Sequence, residues 1–498
     1  MKLLYIDLFC GAGGTSTGVN LARVDGQDCA RVIACVNHDE KAIASHASNH
    51  PDAMHFTEDI RTLELSPLVD HLNKCRMMNP DAFVVLWASL ECTNFSKAKG
   101  GQPRDADSRT LAEHLFRYIE AIAPDYIQIE NVEEFMSWGD VGANGKPISM
   151  DKGKAYCRWI RNVKKYGYNF EHRILNAADF GAYTSRKRFF GIFAKDGLPI
   201  SFPEPTHAKK PEIGLFGSLK KWKPVKEVLD FSDEGRSIFN REKPLSEKTL
   251  ERIFAGLVKF VAGGKDKFMV KYNSMSQSGK YQPPSVDDPC PVVATQNRLA
   301  IAQVSFLSKQ FGGHPDSKNL STDSPAGTIT CVDHHAFVTV FYGNGSNRSV
   351  NDPAPTLTTK EKVAVVNTVF LDMQYGNGTP ASVDTAAGTL TANPKHKLVT
   401  VKRPDAQCQI AVSPDDSPMT KKIKGFMVQY SIADIKMRML KIGELKLIMG
   451  FPENYILVGN QTEQKKFIGN AVEVNMARVL CESLYKSLTP MCATKEAI

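Results

Sequence analysis

Three stretches of the chain carry side chains able to do chemistry. Cys92 follows the apolar run Ala82 to Ala88 (AFVVLWA) and opens onto a loop with Lys97, Lys99, Gly100, Gly101 and Arg104. A thiol at the carboxyl end of a strand buried on both faces sits where ligands of open α/β sheets bind, and its thiolate is a nucleophile. Core cysteines are common, so position alone leaves Cys92 between nucleophile and packing residue. Glu130, in Glu130-Asn131-Val132, closes the apolar run that starts at Tyr126. Arg186 and Arg188 stand two apart on an extended segment, so both guanidiniums point to one side and offer directional donors to one site. A plain basic edge strand has the same pattern.

The elements that position these groups begin at the N-terminus. Leu3 to Ile6 is apolar and ends in Asp7, Phe9, Gly11, Gly13 and Gly14, after which Val19, Leu21 and Ala22 suit a helix. This reads as strand, tight glycine turn, helix. Positions without side chains let a ligand approach the backbone, and the helix N-terminus offers N–H groups to its polar atoms. The spacing does not fit the dinucleotide fingerprint. A second strand ends near Val36, and His38 or Asp39 behind it is placed to hydrogen-bond a ribose, while Asp39 reads equally well as a helix N-cap. A third strand closes at Asp59-Ile60. Leu111, Leu115, Ile119 and Ile122 form a helical stripe that stops before Pro124.

At 498 residues the chain has room for two or three domains of roughly 150 residues each. With 42% hydrophobic and 23% charged residues it matches an ordinary globular protein. Its longest apolar runs fall far short of a membrane span, and the expected location is the cytoplasm. The 11 cysteines include no C-x-x-C pair, so neither a disulfide framework nor a thiolate metal site is expected, and His334-His335 read as loop residues. The net charge of +8 suits a polyanionic partner.

DLFCGAGG resembles the first motif of the cytosine-C5 DNA methyltransferases, and other motifs of that family follow in order. Cys92-Thr93-Asn94-Phe95-Ser96 is similar to the nucleophile motif, Glu130-Asn131-Val132 to its Glu-Asn-Val, and Thr184-Ser185-Arg186-Lys187-Arg188 to its Gln-x-Arg-x-Arg. Arg438, Leu440, Glu444, Gly450, Phe451 and Pro452 resemble the ninth motif, and Gly469, Asn470, Ala471 and Val472 the tenth. The chain departs from the pattern at Glu91, Thr93 and Thr184, and at His38, where the family has Glu. A carboxylate at Glu91 close to the sulfur would lower the thiolate fraction.

The resemblance implies a doubly wound, Rossmann-like α/β domain dependent on S-adenosyl-L-methionine and acting on double-stranded DNA, with no metal and no obligatory protein partner. It implies Cys92 as nucleophile toward cytosine C6, Glu130 at N3 and the amino group, Arg188 on the target base and Arg186 on the nearby backbone. The implied cofactor residues are Asp7, Phe9, Gly11, Gly13, Gly14, His38, Asp39, Asp59, Ile60, Leu111 and Asn470. A DNA-binding homologue with impaired catalysis, and an enzyme acting on tRNA, are the rival expectations.

Between the Arg pair and the closing motifs the texture changes. A helix is expected from Ser246, its hydroxyl as N-cap, through Ile253, Leu257 and Phe260. A phrase then recurs four times, ending at Thr295, Thr330, Thr358 and Thr391, each time followed by a β-rich run (LAIAQV, AFVTVFY, VAVVNTVF, KLVTV). Unequal spacings of 35, 28 and 33 residues exclude a rigid solenoid but suit stacked hairpin-like units. The expected organisation is a catalytic domain over residues 1–199, a β-rich target-recognition insertion over 200–425, and a return to the catalytic domain over 426–498.

Overall fold

The computed structural model describes residues 2–90, 112–138, 153–211, 219–230, 232–233, 235–239, 241–258, 412–429, 432 and 434–495, and the backbone of strands 300–305, 307–309, 319–320, 335–336, 368–373, 381–382 and 396–402. The chain forms two units, Met1–Lys221 with Lys446–Ile498, and Trp222–Leu445.

The first unit is built on a seven-stranded sheet of β1 (Leu3–Leu8), β2 (Ala30–Val36), β3 (Met54–Phe56), β4 (Phe83–Ser89), β5 (Tyr126–Asn131), β6 (Tyr168–Asn176) and β7 (Lys187–Lys195). Their order is β3-β2-β1-β4-β5-β7-β6. The first five run parallel, and β7 pairs antiparallel with both β5 and β6. The central strands are continuous apolar runs because helices cover both faces. Successive residues of β1 alternate between two cores. Leu4, Ile6 and Leu8 join α3 (Ser66–Met78), α4 (Leu115–Ile122) and α5 (Lys154–Lys164) on one side. Leu3 and Tyr5 join Val19 of α1 (Gly14–Leu21) and Leu480, Cys481 and Leu484 of α10 (Val474–Lys495) on the other. Each fully buried Leu contributes about 1.5–3 kcal/mol of transfer free energy, so both helical layers are tied firmly to the sheet. This is the expected doubly wound, Rossmann-like architecture.

Local signals set the helices that reach the strand ends. Asp39 caps α2 (Glu40–Asn49), its side chain accepting from the Lys41 and Ala42 amides. Asn460 and Glu463 form a reciprocal capping box on α9 (Gln461–Asn470).

In the second unit, β8 (Arg236–Ser237), β9 (Ala300–Ser305), β10 (Thr368–Met373), β11 (Ala381–Ser382), β12 (His396–Lys402) and β13 (Asp434–Met439) form one sheet in the order β8-β13-β12-β9-β10-β11. The expected β-rich runs overlap β9, β10 and β12, whereas the four recurring phrases and Phe260 lie outside the described residues. Three details differ from expectation. The Ser246 hydroxyl makes no capping bond to the α6 backbone (Glu247–Gly256); it contacts the Thr249 hydroxyl at 2.9 Å instead. His335, read as loop, belongs to a two-residue strand paired with Lys309, a non-local partner that short-range pattern does not reveal.

The division between units also falls at 221/222 and 445/446 rather than at 199/200 and 425/426. Residues 200–221 stay with the first unit because Phe202 enters its core and the Thr206 amide donates to the Asp179 carbonyl. Residues 426–445 stay with the second because β13 pairs along its length with β12. Among the described residues, no helix is long and apolar enough to cross a membrane.

Candidate active site

The parallel strands deliver their carboxyl ends to one edge. β1 and β4 are neighbours whose connections lead to opposite halves of the sheet, which is the topological switch point where open α/β sheets bind ligands. Asp7 is in register with Trp87, Ser89 with Glu130, and Glu130 with Phe190. The chain thus leaves β4 beside Glu130 at Ser89, three residues before Cys92. Cys92 and Leu111 themselves lie outside the described residues.

Glu130 is buried, and its Oε1 lies 3.2 Å from Nε of Arg188, which is itself largely withdrawn from solvent. Asn131 Nδ2 donates to the Leu90 carbonyl at 3.4 Å, tying β5 to the end of β4. Arg186 is buried and donates to the Gly469 carbonyl at 3.2 Å, while remaining near enough to Arg188 and Glu130 to feel both charges. Burial, with Arg188 nearby, pulls its guanidinium down to about 9. Arg186 therefore joins β7 to the end of α9. Thr184, in the place of the family's Gln, is wholly buried with no hydrogen-bond partner for its hydroxyl among the described residues.

The glycine turn is bent through left-handed backbone at Phe9 (φ 60°), Gly11 (φ 51°) and Gly13 (φ 99°). For a bulky residue such as Phe9 that conformation is strained, and strain of this kind gathers at ligand clamps. The glycines differ in what faces them. Among the described residues, a Cβ on Gly11 would meet nothing within 4 Å, one on Gly13 would meet the Tyr455 hydroxyl, and one on Gly14 the Val472 carbonyl. Among the described residues of the turn, Gly11 alone offers open backbone; Gly13 and Gly14 are small so that the closing segment of the chain can pack on the turn.

Asp7 is fully buried, and its Oδ2 accepts from Ser16 Oγ at 2.7 Å while Oδ1 has no partner among the described residues. Burial pushes this carboxyl up to about 8. At the end of β2, His38 is exposed, whereas Asp39 Oδ1 is committed to the α2 cap and Oδ2 lies 3.4 Å from Lys466 Nζ. Asp59 holds Arg61 through two guanidinium contacts of 2.9 and 2.7 Å, which keeps its carboxyl below the usual range. Ile60 is buried, and its carbonyl accepts from Tyr118 at 3.0 Å. Asn470 ends α9 and is exposed.

Behind the turn lies a cluster that sequence spacing did not suggest. Sγ of Cys10, Sγ of Cys35 and a ring nitrogen of His46 lie within 4.8 Å of one another, all buried. His55 Nε2 is 2.9 Å from His46 Nδ1.

A family model described as C-5 cytosine-specific DNA methylase matches residues 3–486. The Type II methyltransferase M1.HphI of Haemophilus parahaemolyticus is 29% identical over 216 residues, 43% of this chain and 52% of that protein. M.AgeI of Thalassovita gelatinovora is 30% identical over 211 residues, 42% of this chain and 44% of its own length. M.AquIA of a Picosynechococcus strain is 28% identical over 233 residues, 46% of this chain and 88% of its own. The chain thus spans about half the length of the first two curated relatives.

Proposed function

Since the chain belongs to the C-5 cytosine-specific DNA methylase family, we propose that it transfers a methyl group from S-adenosyl-L-methionine to C5 of a cytosine in double-stranded DNA. The observation that carries this reading is the Glu130–Arg188 pair, set at the carboxyl end of β5 beside the strand that leads to Cys92.

The turn fits the cofactor. Gly11 presents open backbone at the switch point, and the orphaned Asp7 Oδ1 is a buried acceptor within the same strand-turn-helix. Phe9, Gly11, Asp59, Ile60, Leu111, Asn470 and one of His38 and Asp39 would hold it, with Asp7 fixing the turn through Ser16. Gly13 and Gly14 serve it by letting Tyr455 and Val472 close on the turn. When bound, S-adenosyl-L-methionine supplies the electrophilic methyl that C5 takes.

The chain's own residues prepare the base. A cytosine must leave the stack before its ring faces can be reached. Glu130, held by Arg188, hydrogen-bonds N3 and the amino group and accommodates charge as the Cys92 thiolate bonds to C6. Once C5 carries the methyl group, it loses its proton, the C6–S bond breaks, and the electron pair restores the ring double bond while the thiolate departs. Proximity supplies much of the acceleration, because nucleophile, ring and methyl donor are held in near-attack geometry. The net charge of +8 assists the polyanionic substrate, and the bacterial relatives agree with a cytoplasmic setting.

The test is transfer of labelled methyl groups to duplex DNA of mixed sequence, followed by nucleoside digestion. Label in 5-methyldeoxycytidine is the expected result; label only in tRNA, or none with DNA binding intact, would overturn it.

A further inference from the structure

We infer that Cys10, Cys35, His46 and His55 form a binding site for a soft divalent transition metal, with zinc the ion whose ligand preferences they fit. The four come from four different elements: the glycine turn, β2, α2 and β3. Cys35 Sγ lies 3.6 Å from His46 Nδ1, and that nitrogen is 2.9 Å from His55 Nε2. Zinc–sulfur bonds of ~2.3 Å and zinc–nitrogen bonds of ~2.0–2.1 Å in a tetrahedron place ligand atoms roughly 3.3–3.8 Å apart. The Cys35–His46 separation is of that size, Cys10 lies within 4.8 Å of both, and His55 adjoins this trio through its 2.9 Å contact with His46, a pair that a small tilt of the two rings opens to the required spacing.

Hydrogen bonding fixes the tautomer that a metal requires. Ser16 Oγ donates to Asp7 Oδ2 at 2.7 Å, so the contact of 2.8 Å between Ser16 Oγ and His46 Nε2 is completed by the ring N–H. Nδ1 of a neutral His46 then carries its lone pair toward Cys35 and His55. The chain Asp7–Ser16–His46 is the outer-sphere support that orients a ligating imidazole. Neighbouring His50 is kept out of the set: its Nε2 faces Thr17 and Tyr455 and its Nδ1 faces Asn20.

Charge agrees with the assignment. Two thiolates and two neutral imidazoles cancel a divalent ion, leaving a neutral unit in a buried place. Binding forms two metal–sulfur and two metal–nitrogen bonds and releases the two thiol protons to solvent, so affinity rises with pH. Such an ion would fasten the turn bearing Gly11 to the neighbouring strands and α2.

The experiment uses the full chain purified without a polyhistidine tag. Elemental analysis should find roughly one zinc per chain, and cobalt substituted for it should show the thiolate charge-transfer and visible bands of a tetrahedral site. Cys35→Ser should lose the zinc and the bands, His55→Gln should weaken retention at least several-fold, and Cys157→Ser, an exposed thiol elsewhere, should change neither. If Cys35→Ser does not fold, the wild-type cobalt spectrum alone decides. A wild-type chain that neither holds zinc nor gives thiolate–cobalt bands after reconstitution, or that carries a Cys10–Cys35 disulfide, would overturn the assignment.

Discussion

Nε of Arg188 stands 3.2 Å from Oε1 of Glu130, with side-chain exposures of only 15% and 9%. So little water leaves the carboxylate aimed by its partner. Glu130→Gln should therefore keep the fold and DNA binding while lowering the methylation rate by about 10²–10⁴-fold, the range for losing a positioned acid–base group. Arg188→Lys should lower it less but still clearly, because a flexible ammonium does not reproduce the guanidinium's planar donors. Single-turnover rates at saturating DNA would check both.

Asp7 gives a pH signature. Its folded-state value of about 8 lies above the ordinary 3.8, so between these values the folded chain binds more protons than the unfolded chain, and this residue's contribution falls as pH rises. Asp7→Asn has no such term. The unfolding free energy of wild type minus that of Asp7→Asn, measured by denaturation without cofactor, should decline from pH 5 toward pH 8 by at most ~1.4 kcal/mol per pH unit. A flat difference would show that the carboxyl is not held in this environment.

The glycines of the turn should separate by what faces them. Gly14→Ala drives a methyl into the Val472 carbonyl, and overpacking of this kind costs about 1–3 kcal/mol. Gly11→Ala meets no atom but must hold a φ of 51°, a backbone cost of roughly 1–2 kcal/mol. Gly14→Ala should lose mainly melting temperature. Gly11→Ala should lose more cofactor affinity than its melting shift explains, as calorimetric titration with S-adenosyl-L-methionine would read.

In the second unit, Arg438 grips Glu444 through two contacts of 2.9 and 2.8 Å, both side chains being buried. The Glu444 oxygens also accept from the Asp230 and Lys441 amides. Breaking a buried pair from one side strands the other charge, so Glu444→Ala should destabilise by about 3–5 kcal/mol. Equilibrium denaturation measures it.

Much of this was readable from residue order. β1 and β4 announce themselves as apolar runs that lead to Asp7 and Cys92, because a parallel strand covered on both faces leaves little room for polar alternation, while β5 carries one buried polar residue, Gln128, before Glu130. The purpose of each glycine was not readable, since the same missing side chain serves a ligand at Gly11 and a protein neighbour at Gly13 and Gly14. Nor was the destination of Arg186: spacing set it beside Arg188 on an extended segment, but its partner, the Gly469 carbonyl, lies 283 residues away. Cys10, Cys35, His46 and His55 are likewise scattered along the chain and meet only once β1, β2, β3 and α2 assemble.

The central claim is that Cys92 bonds covalently to a cytosine during methyl transfer. It is tested most directly by incubating the protein with S-adenosyl-L-methionine and duplex DNA carrying 5-fluorocytosine in many sequence contexts, beside Cys92→Ser. Fluorine at C5 does not leave as a proton does, so the enzyme should stall as a protein–DNA adduct that requires both cofactor and Cys92. Sequencing the trapped DNA would then read out the target. DNA binding without any adduct in every context would contradict the account and point to a binder whose chemistry is blocked, with Glu91, next to Cys92 in the sequence, as the first residue to replace.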